Sequence, residues 1–276
     1  MKRPSENTQQ VERAPVGMLT RGLSLLLELG NHPSGLSLSD LARRCGLPTS
    51  TAFRLLTDLY ALGFVSFDEG SRNYSVGIAI FQLSQAVSTV QGLTEIARPV
   101  MRKVSSVTGE TCLLAVLDGV DIVYIERANS PMPVQIAAKT GRRGPIHCTS
   151  MGKALLAFQP EDVRKEILRL IRLERFTPNT IISRKKLLVE LEQVRKRGYA
   201  VADEEYDVGI RAVGVPVLDS NGHPAAAICV SAPAYRTPKE KLETLVPVLR
   251  EAAGTIGVQL TRATVSQDRI GPRRGR

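Results

Sequence analysis

The stretch LSLSDLARRCGLPTSTAFRLLTDLYALGFV, residues 36–65, constrains the fold more than any other part of the chain. It holds two short helical patterns separated by Gly46, and an apolar run follows the second. Glycine adopts positive φ easily and closes a helix at low cost. Helices joined by so short a turn cross steeply, and small residues such as Ala42 and Ala52 suit that crossing. The pattern predicts a helix-turn-helix.

We expect three helices in this region. The first has leucines at helical spacing that would share one inward face: Leu19, Leu23, Leu26 and Leu27. The second opens near Ser37, and Asp40 three residues later makes a weak version of a capping box. The third runs from about residue 49 to 62, with an inward face of Ala52, Leu55, Leu56 and Leu59.

The outward face of the third helix is short and polar, and it comprises Thr49, Ser50, Thr51, Phe53 and Arg54. Such a face suits a major groove, with hydroxyl and N–H groups on phosphate and Arg54 on phosphate or a base edge. Residues 64–67 and 74–76 alternate at period two around a turn that carries Arg72, which predicts a wing. Double-stranded operator DNA is therefore the predicted partner. The alternative is an ordinary three-helix corner with a hairpin.

The net charge of +10 does not itself carry this prediction. Residues 1–92 have a surplus of only one positive charge, whereas residues 262–276 have a surplus of four. The excess thus lies outside the segment assigned to DNA, and residues 262–276 read as a basic disordered tail. Residues 1–16 read as a polar, disordered lead-in rather than a secretory signal.

Composition also limits the class of protein. The four cysteines form no C-x-x-C pair and no Cys/His cluster with zinc spacing, so we predict no metal and no cofactor. No apolar run approaches the roughly eighteen residues of a membrane span. We therefore expect a cytoplasmic protein without a membrane partner.

The segment GIAIFQLSQAVSTVQGL is amphipathic, with Ile80, Leu83, Val87 and Val90 on one side. We interpret residues 78–92 as a linker helix and dimer contact, because paired readers of DNA half-sites need dimers. The alternative is packing on its own chain. Together with a winged helix-turn-helix over 17–77, this leaves a second domain at 93–261.

The second domain alternates strands and helices. Predicted strands are 112–117, 122–126, 134–138, 199–202, 212–218 and 225–231, with hairpin turns at residues 118–119 and 220–222. Predicted helices are 149–158, 160–173 and 183–197, followed by a last helix that opens on a capping box at Thr237-Pro238-Lys239-Glu240. This pattern predicts an α+β domain, one antiparallel sheet flanked by helices. The chain after Leu260 is expected to be unstructured.

Short catalytic strings in this domain do not predict an enzyme. Ser150-Met151-Gly152-Lys153 matches S-x-x-K, and residues 139–141 match K-T-G, but their order is the reverse of the penicillin-binding set. His147 and Cys148 would point to opposite faces of a strand, which argues against a dyad. Asp203-Glu204-Glu205 most often indicates a solvated turn, although Asp203 at a strand end could face a pocket.

Taken whole, residues 19–260 resemble the IclR family of bacterial transcriptional regulators. The resemblance rests on GLPTSTAFRLLTDL and LGFV, then GPIHCTSMGKALLA and GYAVADEEYDVGIRAVGVPVLDSNGHPAAAICVSAP. It implies a winged-helix domain, a linker helix and a GAF-like domain that binds small organic molecules, assembled as dimers or tetramers on pseudo-palindromic operators. The effector-binding positions it implies are Ser150, Met151, Asp203, Ala212, Cys229 and Ser231.

Two of these positions depart from part of the family. Relatives that bind very small keto acids tend to carry Cys where this chain has Ala212 and Ser where it has Cys229. This argues against a glyoxylate-sized ligand. The hypothesis for the effector is an organic acid, for example an aromatic acid or a sugar acid. The expected apolar walls are Met151, Leu155, Ala212 and Ile228, and the expected partners for a carboxylate are the start of helix 149–158 and Arg127, Arg142 and Arg143.

The sequence thus predicts a non-enzymatic, ligand-responsive regulator. One alternative is a small-molecule-binding or catalytic protein that uses the winged helix as an interaction module. A second is a non-specific nucleic-acid binder driven by the basic tail.

Overall fold

The computed structural model describes residues 17–84 and 88–269 of the chain. These residues form two compact units that divide between Ser88 and Thr89, and each unit is described by itself. None of the helices within the described ranges combines the length and apolar character needed to cross a membrane.

The first unit is a three-helix domain with a small sheet. Its elements are α1 (Met18–Gly30), β1 (Leu36–Ser37), α2 (Leu38–Arg44), α3 (Thr49–Ala61), β2 (Val65–Asp68), β3 (Asn73–Val76) and α4 (Ile78–Ser84). The antiparallel sheet has the order β1-β3-β2, so the predicted hairpin gains a third, two-residue strand from the chain before α2. The predicted winged helix-turn-helix is confirmed.

The turn between α2 and α3 has the predicted glycine corner. Gly46 adopts φ +63°, and the N–H groups of Gly46 and Leu47 donate to the carbonyls of Arg43 (3.2 Å) and Ala42 (2.9 Å). These two hydrogen bonds form a Schellman motif, which satisfies two carbonyls at the end of α2. At the start of α2 the Ser37 hydroxyl accepts from the Asp40 N–H at 3.2 Å, as predicted.

The core of this unit corrects one prediction. Ala52, Leu55 and Leu56 are buried as expected, but α1 buries Leu25 and Leu29. Of the four leucines predicted to face inward, Leu26 is half-buried, whereas Leu19, Leu23 and Leu27 are 76%, 50% and 73% exposed. Six leucines in thirteen residues make two overlapping helical stripes, and spacing alone does not choose between them.

The predicted linker helix is not one continuous element in the described residues. Helix α4 ends at Ser84, α5 begins at Ser88, and Val87 lies outside the described residues. Helix α5 then continues to Thr108, well past the predicted domain start at residue 93, despite an internal Pro99.

The second unit is built on one sheet. Its elements are α5 (Ser88–Thr108), β4 (Thr111–Asp118), β5 (Asp121–Ala128), β6 (Arg143–Pro145), α6 (Ser150–Phe158), α7 (Glu161–Leu170), α8 (Arg184–Arg197), β7 (Ala200–Asp203), β8 (Ile210–Leu218), β9 (Pro224–Pro233), α9 (Lys239–Thr244) and α10 (Val246–Arg269). The strand order is β6-β5-β4-β9-β8-β7, and every neighbouring pair is antiparallel.

Helices cover both faces of this sheet. Along β4, Cys112 and Leu114 pack in a cluster with α5, α9 and α10, whereas Leu113 and Ala115 pack with α6 and α8. This alternation is what a strand buried on both faces requires. The predicted α+β architecture, an antiparallel sheet flanked by helices, is confirmed.

The predicted strand at 134–138 is wrong. Residues 134–138 have no regular structure. Two of their carbonyls accept hydrogen bonds from arginine side chains rather than from a neighbouring strand: Arg127 donates to the Ala138 carbonyl at 3.0 Å and Arg236 to that of Val134 at 2.8 Å. Pro131 and Pro133 just before the segment remove backbone donors that a strand would use.

The last helix also differs from its prediction. Pro238 is the N-cap of α9 and no side chain caps it, so the capping box from Thr237 to Glu240 does not form. The helix breaks at Leu245, because Pro247 in the first turn of α10 is incompatible with a continuous helix. Helix α10 continues to Arg269, so the chain beyond Leu260, including part of the predicted tail, is helical; residues 270–276 lie outside the described residues.

Candidate DNA-reading surface and effector cavity

The start of α3 presents the predicted polar face. Thr49, Ser50, Phe53 and Arg54 are exposed and Thr51 is half-buried. The opposite side of α3 packs in the core of the domain through Leu55 and Leu56, and this packing fixes the position of the helix. The polar face therefore projects as a short rigid edge, which is the geometry that major-groove readers use.

The arginines of this unit differ in whether a carboxylate already holds them. Arg43 pairs with Asp40 at 2.7 Å and Arg44 with Glu28 at 3.2 Å. Within residues 17–84, Arg54 and Arg72 make no such pair; Arg54 Nη2 contacts Met18 Sδ at 3.8 Å and Arg72 lies over the Phe67 ring at 5.9 Å. These two cations are available to phosphate.

The wing turn is fixed by one side chain. Asp68 Oδ1 accepts from both the N–H and the hydroxyl of Ser71 at 2.7 Å, and these bonds lower the pKa of the Asp68 carboxyl. Arg72 follows with φ +57°, an uncommon conformation for a residue other than glycine. The predicted wing tip is thus an ordered turn that directs Arg72 outward.

In the second unit a cavity of about 250 Å³ lies between the sheet and α6. Its floor follows from strand register, because Ala202, Ala212 and Ser231 are direct neighbours across β7, β8 and β9. Cys229, two residues from Ser231, faces the same side and pairs with Leu113 of β4. Ser150 and Met151 at the start of α6 complete this part of the lining.

The start of α6 rests directly on the sheet. A Cβ at Gly214 would lie 3.1 Å from the Ser150 carbonyl carbon and hydroxyl, so glycine is what allows this approach. Thr149 is the N-cap, and its hydroxyl accepts from the Gly152 N–H at 3.1 Å. The first N–H groups of a helix have no partner within it and carry a partial positive charge. Here they border the cavity.

Five of the six predicted effector residues line this one cavity: Ser150, Met151, Ala212, Cys229 and Ser231. Asp203 does not, because it follows the lining residue Ala202 on a strand and therefore points to the opposite face. Its carboxylate pairs with Arg211 at 2.6 Å. The structure therefore places the Asp203 side chain away from the cavity.

Of the residues predicted as apolar walls or as cationic partners of a carboxylate, only some line the cavity. Met151, Ala212 and Arg142 line it, whereas Leu155 and Ile228 belong to the hydrophobic cores on opposite sides of the sheet. Arg143 pairs with Asp118 and Asp121. Sequence reasoning missed several polar lining side chains, among them Tyr124, Cys148, Glu205, Tyr206 and Asp207.

A buried ion pair supports the cavity wall. Lys153 is 1% exposed, and its Nζ lies 2.5 Å from Glu205 Oε1 and 3.6 Å from Glu190 Oε1. The Thr180 hydroxyl donates to the Glu205 carbonyl at 2.6 Å. The interpretation of residues 203–205 as a solvated turn is therefore wrong for Glu205, which is 7% exposed. Burial raises the pKa of the Glu205 carboxyl, against the opposing effect of Lys153.

The arrangement does not support acyl-transfer chemistry. Lys153, the lysine of the S-x-x-K string, is engaged by Glu205. Burial raises the pKa of both Cys148 and Cys229 to about 12, so neither thiol is a nucleophile near neutral pH. Among the described residues, no group of three or more His, Cys, Asp or Glu side chains is placed to hold a metal ion.

Comparison with known proteins identifies the family. The model of the IclR helix-turn-helix domain matches residues 18–69, and that of the bacterial transcriptional regulator IclR C-terminal domain matches residues 85–258. The chain belongs to the IclR family. The predicted resemblance is confirmed, and this IclR-family protein is a transcriptional regulator with a DNA-binding and an effector-binding domain rather than an enzyme.

Individual relatives cover most of this IclR-family chain. It is 36% identical over 236 residues to the HTH-type transcriptional regulator BhcR of Paracoccus denitrificans, covering 85% of this chain and 84% of the relative. It is 34% identical over 245 residues to KdgR of Escherichia coli, covering 89% and 93%. Among solved structures, an IclR homologue from Microbacterium hydrocarbonoxydans in complex with 4-hydroxybenzoate superposes with a TM-score of 0.76 at 29% identity, covering 90% of this chain and 100% of that one.

Proposed function

We propose that this IclR-family regulator binds a pseudo-palindromic operator as a homodimer or homotetramer, and that a small organic acid in the cavity of its second unit controls it. It would act in the bacterial cytoplasm, where its operator DNA lies. The proposed DNA contacts are Thr49, Ser50, Thr51, Phe53, Arg54 and Arg72. The proposed effector contacts are Ser150, Met151, Ala212, Cys229 and Ser231, without Asp203.

The oligomer proposal is supported by exposed apolar side chains on α4. Ile78, Phe81 and Leu83 are 68%, 61% and 56% exposed. Ile78 and Phe81 are three residues apart and so share one side of α4, and adjacent exposed apolar side chains are a feature of protein–protein contacts. A dimer also places two α3 helices on two half-sites, and an effector that favours one arrangement of the dimer would change their spacing.

We expect Arg54→Ala to weaken operator binding without unfolding the protein. If Arg54 reads a base edge, the loss should be about 1–3 kcal/mol, or roughly five- to 150-fold in affinity. If it contacts phosphate, the loss should be uniform across sequences and the salt slope should fall by about one. Fluorescence anisotropy with the sequence upstream of the regulator's own gene measures both.

Arg43→Ala is the matched control for this test. It removes the same charge from the same unit, but from a side chain that Asp40 already pairs. Equal losses for the two variants would mean that only net charge matters, which would favour the non-specific binder. Unchanged affinity in Arg54→Ala would favour the interaction-module alternative.

The acid proposal is carried by one observation, the capped N-terminus of α6 at the cavity lining. Backbone N–H groups at a helix start favour a carboxylate, and Arg142 adds a cation to the same lining. The volume of about 250 Å³ lies just below the roughly 300–1,000 Å³ typical of drug-sized ligands, which indicates a small metabolite. The bound 4-hydroxybenzoate of the Microbacterium homologue is a carboxylic acid of this size class.

A thermal-shift screen of carboxylic acids against their neutral amides tests this proposal. We expect acids to raise the unfolding temperature and the matching amides to do so much less, because only the anion gains the charge attraction of the helix start and Arg142. Equal shifts from acid and amide would contradict the anion claim, although not the existence of an effector site.

A further inference from the structure

One tyrosine of the cavity has a role that neither the sequence patterns nor the family assignment gives. Tyr124 lies in the middle of β5, is 7% exposed and packs in the cluster that faces α6. Its ring lines the cavity. No protein group in the described part of the chain hydrogen-bonds its hydroxyl, and the oxygen is not among the fully enclosed polar atoms, so it opens to the cavity.

A buried tyrosine hydroxyl normally has a hydrogen-bond partner, and one without a protein partner requires an explanation. Ligand sites supply one, because they combine apolar walls with a few polar groups that fix orientation. Burial also raises the pKa of Tyr124, so the group stays protonated and able to donate at physiological pH. The hydroxyl of Ser231, which is 5% exposed, is a second lining hydroxyl without a protein partner among the described residues.

The position of the Tyr124 hydroxyl is built into the sheet. A Cβ at Gly144 would lie 3.1 Å from both the hydroxyl and Cε2 of Tyr124, so glycine on β6 leaves the space that the end of the ring occupies. The backbone of Tyr124 holds the turn before β6, since its N–H donates to the Arg142 carbonyl at 3.0 Å and its carbonyl accepts from Gly141 at 2.7 Å.

The same turn brings a second donor to the cavity. Arg142 lines it and donates through Nη2 to the Tyr206 hydroxyl at 3.0 Å, with its guanidinium 5.7 Å from the Tyr206 ring centre. The β5–β6 edge thus contributes the Tyr124 hydroxyl and a fixed guanidinium. These donors come from different elements than the N–H groups of α6, so the cavity offers two separate sets of donors.

We infer that Tyr124 is a specificity-determining residue whose hydroxyl donates a hydrogen bond to an effector oxygen other than those of the carboxylate. This inference rests on the proposed effector site. The carboxylate lies at the start of α6, and the apolar walls surround the carbon skeleton. An acid without the second oxygen leaves the Tyr124 hydroxyl unpaired.

The test uses the full-length protein and pairs of acids that differ by one oxygen function: benzoate with 4-hydroxybenzoate, propionate with pyruvate, and butyrate with 3-hydroxybutyrate. Binding is followed by thermal shift and calorimetry in wild type, Tyr124→Phe and the control Tyr60→Phe, whose ring is exposed in the other unit. We expect the oxygenated member of at least one pair to bind wild type and Tyr60→Phe about tenfold more tightly, and Tyr124→Phe to lose that preference.

A second readout separates a ligand contact from a structural one. Because the hydroxyl makes no protein bond, Tyr124→Phe should unfold without ligand at the same or a higher temperature than wild type. Clear destabilisation of that variant, or no pair that separates it from wild type, would overturn the inference. A preference for the oxygenated member that Tyr124→Phe abolishes, together with equal binding of acids and amides, would support Tyr124 while refuting the anion site at α6.

Discussion

Replacing Lys153 by Met should destabilise the effector-binding domain by about 3–5 kcal/mol near neutral pH. The Lys153 side chain is 1% exposed and its Nζ is 2.5 Å from Glu205 Oε1. Methionine fills a similar volume but leaves the Glu205 carboxylate buried without its cation, and Glu205 Oε2 already has no partner. Urea unfolding followed by circular dichroism measures the change.

Lys165→Met is the matched control. Lys165 pairs with Glu161 at 2.6 Å, almost the same length, but its side chain is 73% exposed. Exposed pairs contribute little, so this variant should stay within about 0.5 kcal/mol of wild type. Equal losses of unfolding free energy in the two variants would show that burial does not make the Lys153–Glu205 pair more important for stability than the exposed pair.

The loss in Lys153→Met should depend on pH. Burial already raises the pKa of Glu205 above 4.5, and removing the lysine removes the two largest effects that lower this pKa. A carboxyl group whose pKa is higher in the folded than in the unfolded state stabilises the fold at pH values below its unfolded-state pKa. This stabilisation is lost as the pH rises through the folded-state pKa. The variant should therefore approach wild type near pH 4.5 and fall behind it as pH rises. The double variant Lys153→Met, Glu205→Gln should recover part of the loss, since no buried charge remains.

The ion pair also shows what the sequence could not predict. Fifty-two residues separate Lys153 from Glu205, and nothing local marks either as buried. Residues 203–205 read as solvated because three acidic residues in a row usually are. A distant segment also holds the backbone of Glu205 in place, because the Thr177 and Thr180 hydroxyls both donate to its carbonyl.

Local signals, by contrast, were sufficient for much of the fold. Gly46 predicted the helix-turn-helix corner, and the Asp118-Gly119 and Ser220-Asn221-Gly222 turns predicted two hairpins that pair β4 with β5 and β8 with β9. Their turn chemistry acts over a few residues and does not depend on the rest of the chain. The predicted strand at 134–138 failed because Arg127 and Arg236, from other elements, hold that segment.

For the cavity, the family resemblance implied six residues, of which five line it and Asp203 does not, and the reason is again physical. On a strand, an error of one position reverses the face, and Ala202 rather than Asp203 faces the cavity. Tyr124 was missed because alternation makes it indistinguishable from an ordinary core aromatic residue. Only the register that sets Gly144 beside its hydroxyl reveals the difference.

Gly152→Ala should be the most damaging single-methyl change in the effector-binding domain. A Cβ at residue 152 would lie 2.4 Å from the Ile146 carbonyl oxygen and 2.6 Å from the Thr149 hydroxyl, and the first of these is backbone that cannot rotate away. Relief of the clash must move the start of α6 and break the Thr149 cap at Gly152 N–H. Overpacking costs about 1–3 kcal/mol and a lost cap about 0.5–2 kcal/mol, so we expect a total loss of about 2–4 kcal/mol in thermal or urea unfolding.

Gly254→Ala, in the middle of α10, tests whether the loss is specific. A Cβ there meets nothing within 4 Å, and alanine is the better helix former, so this variant should gain about 0.5–1 kcal/mol. The two substitutions add the same methyl group to helices of the same unit and should shift stability in opposite directions. Because the start of α6 also borders the cavity, Gly152→Ala should weaken acid binding at temperatures where the variant is still fully folded. A Gly152→Ala protein as stable as Gly254→Ala would contradict the close packing of the start of α6 against Ile146 and Thr149.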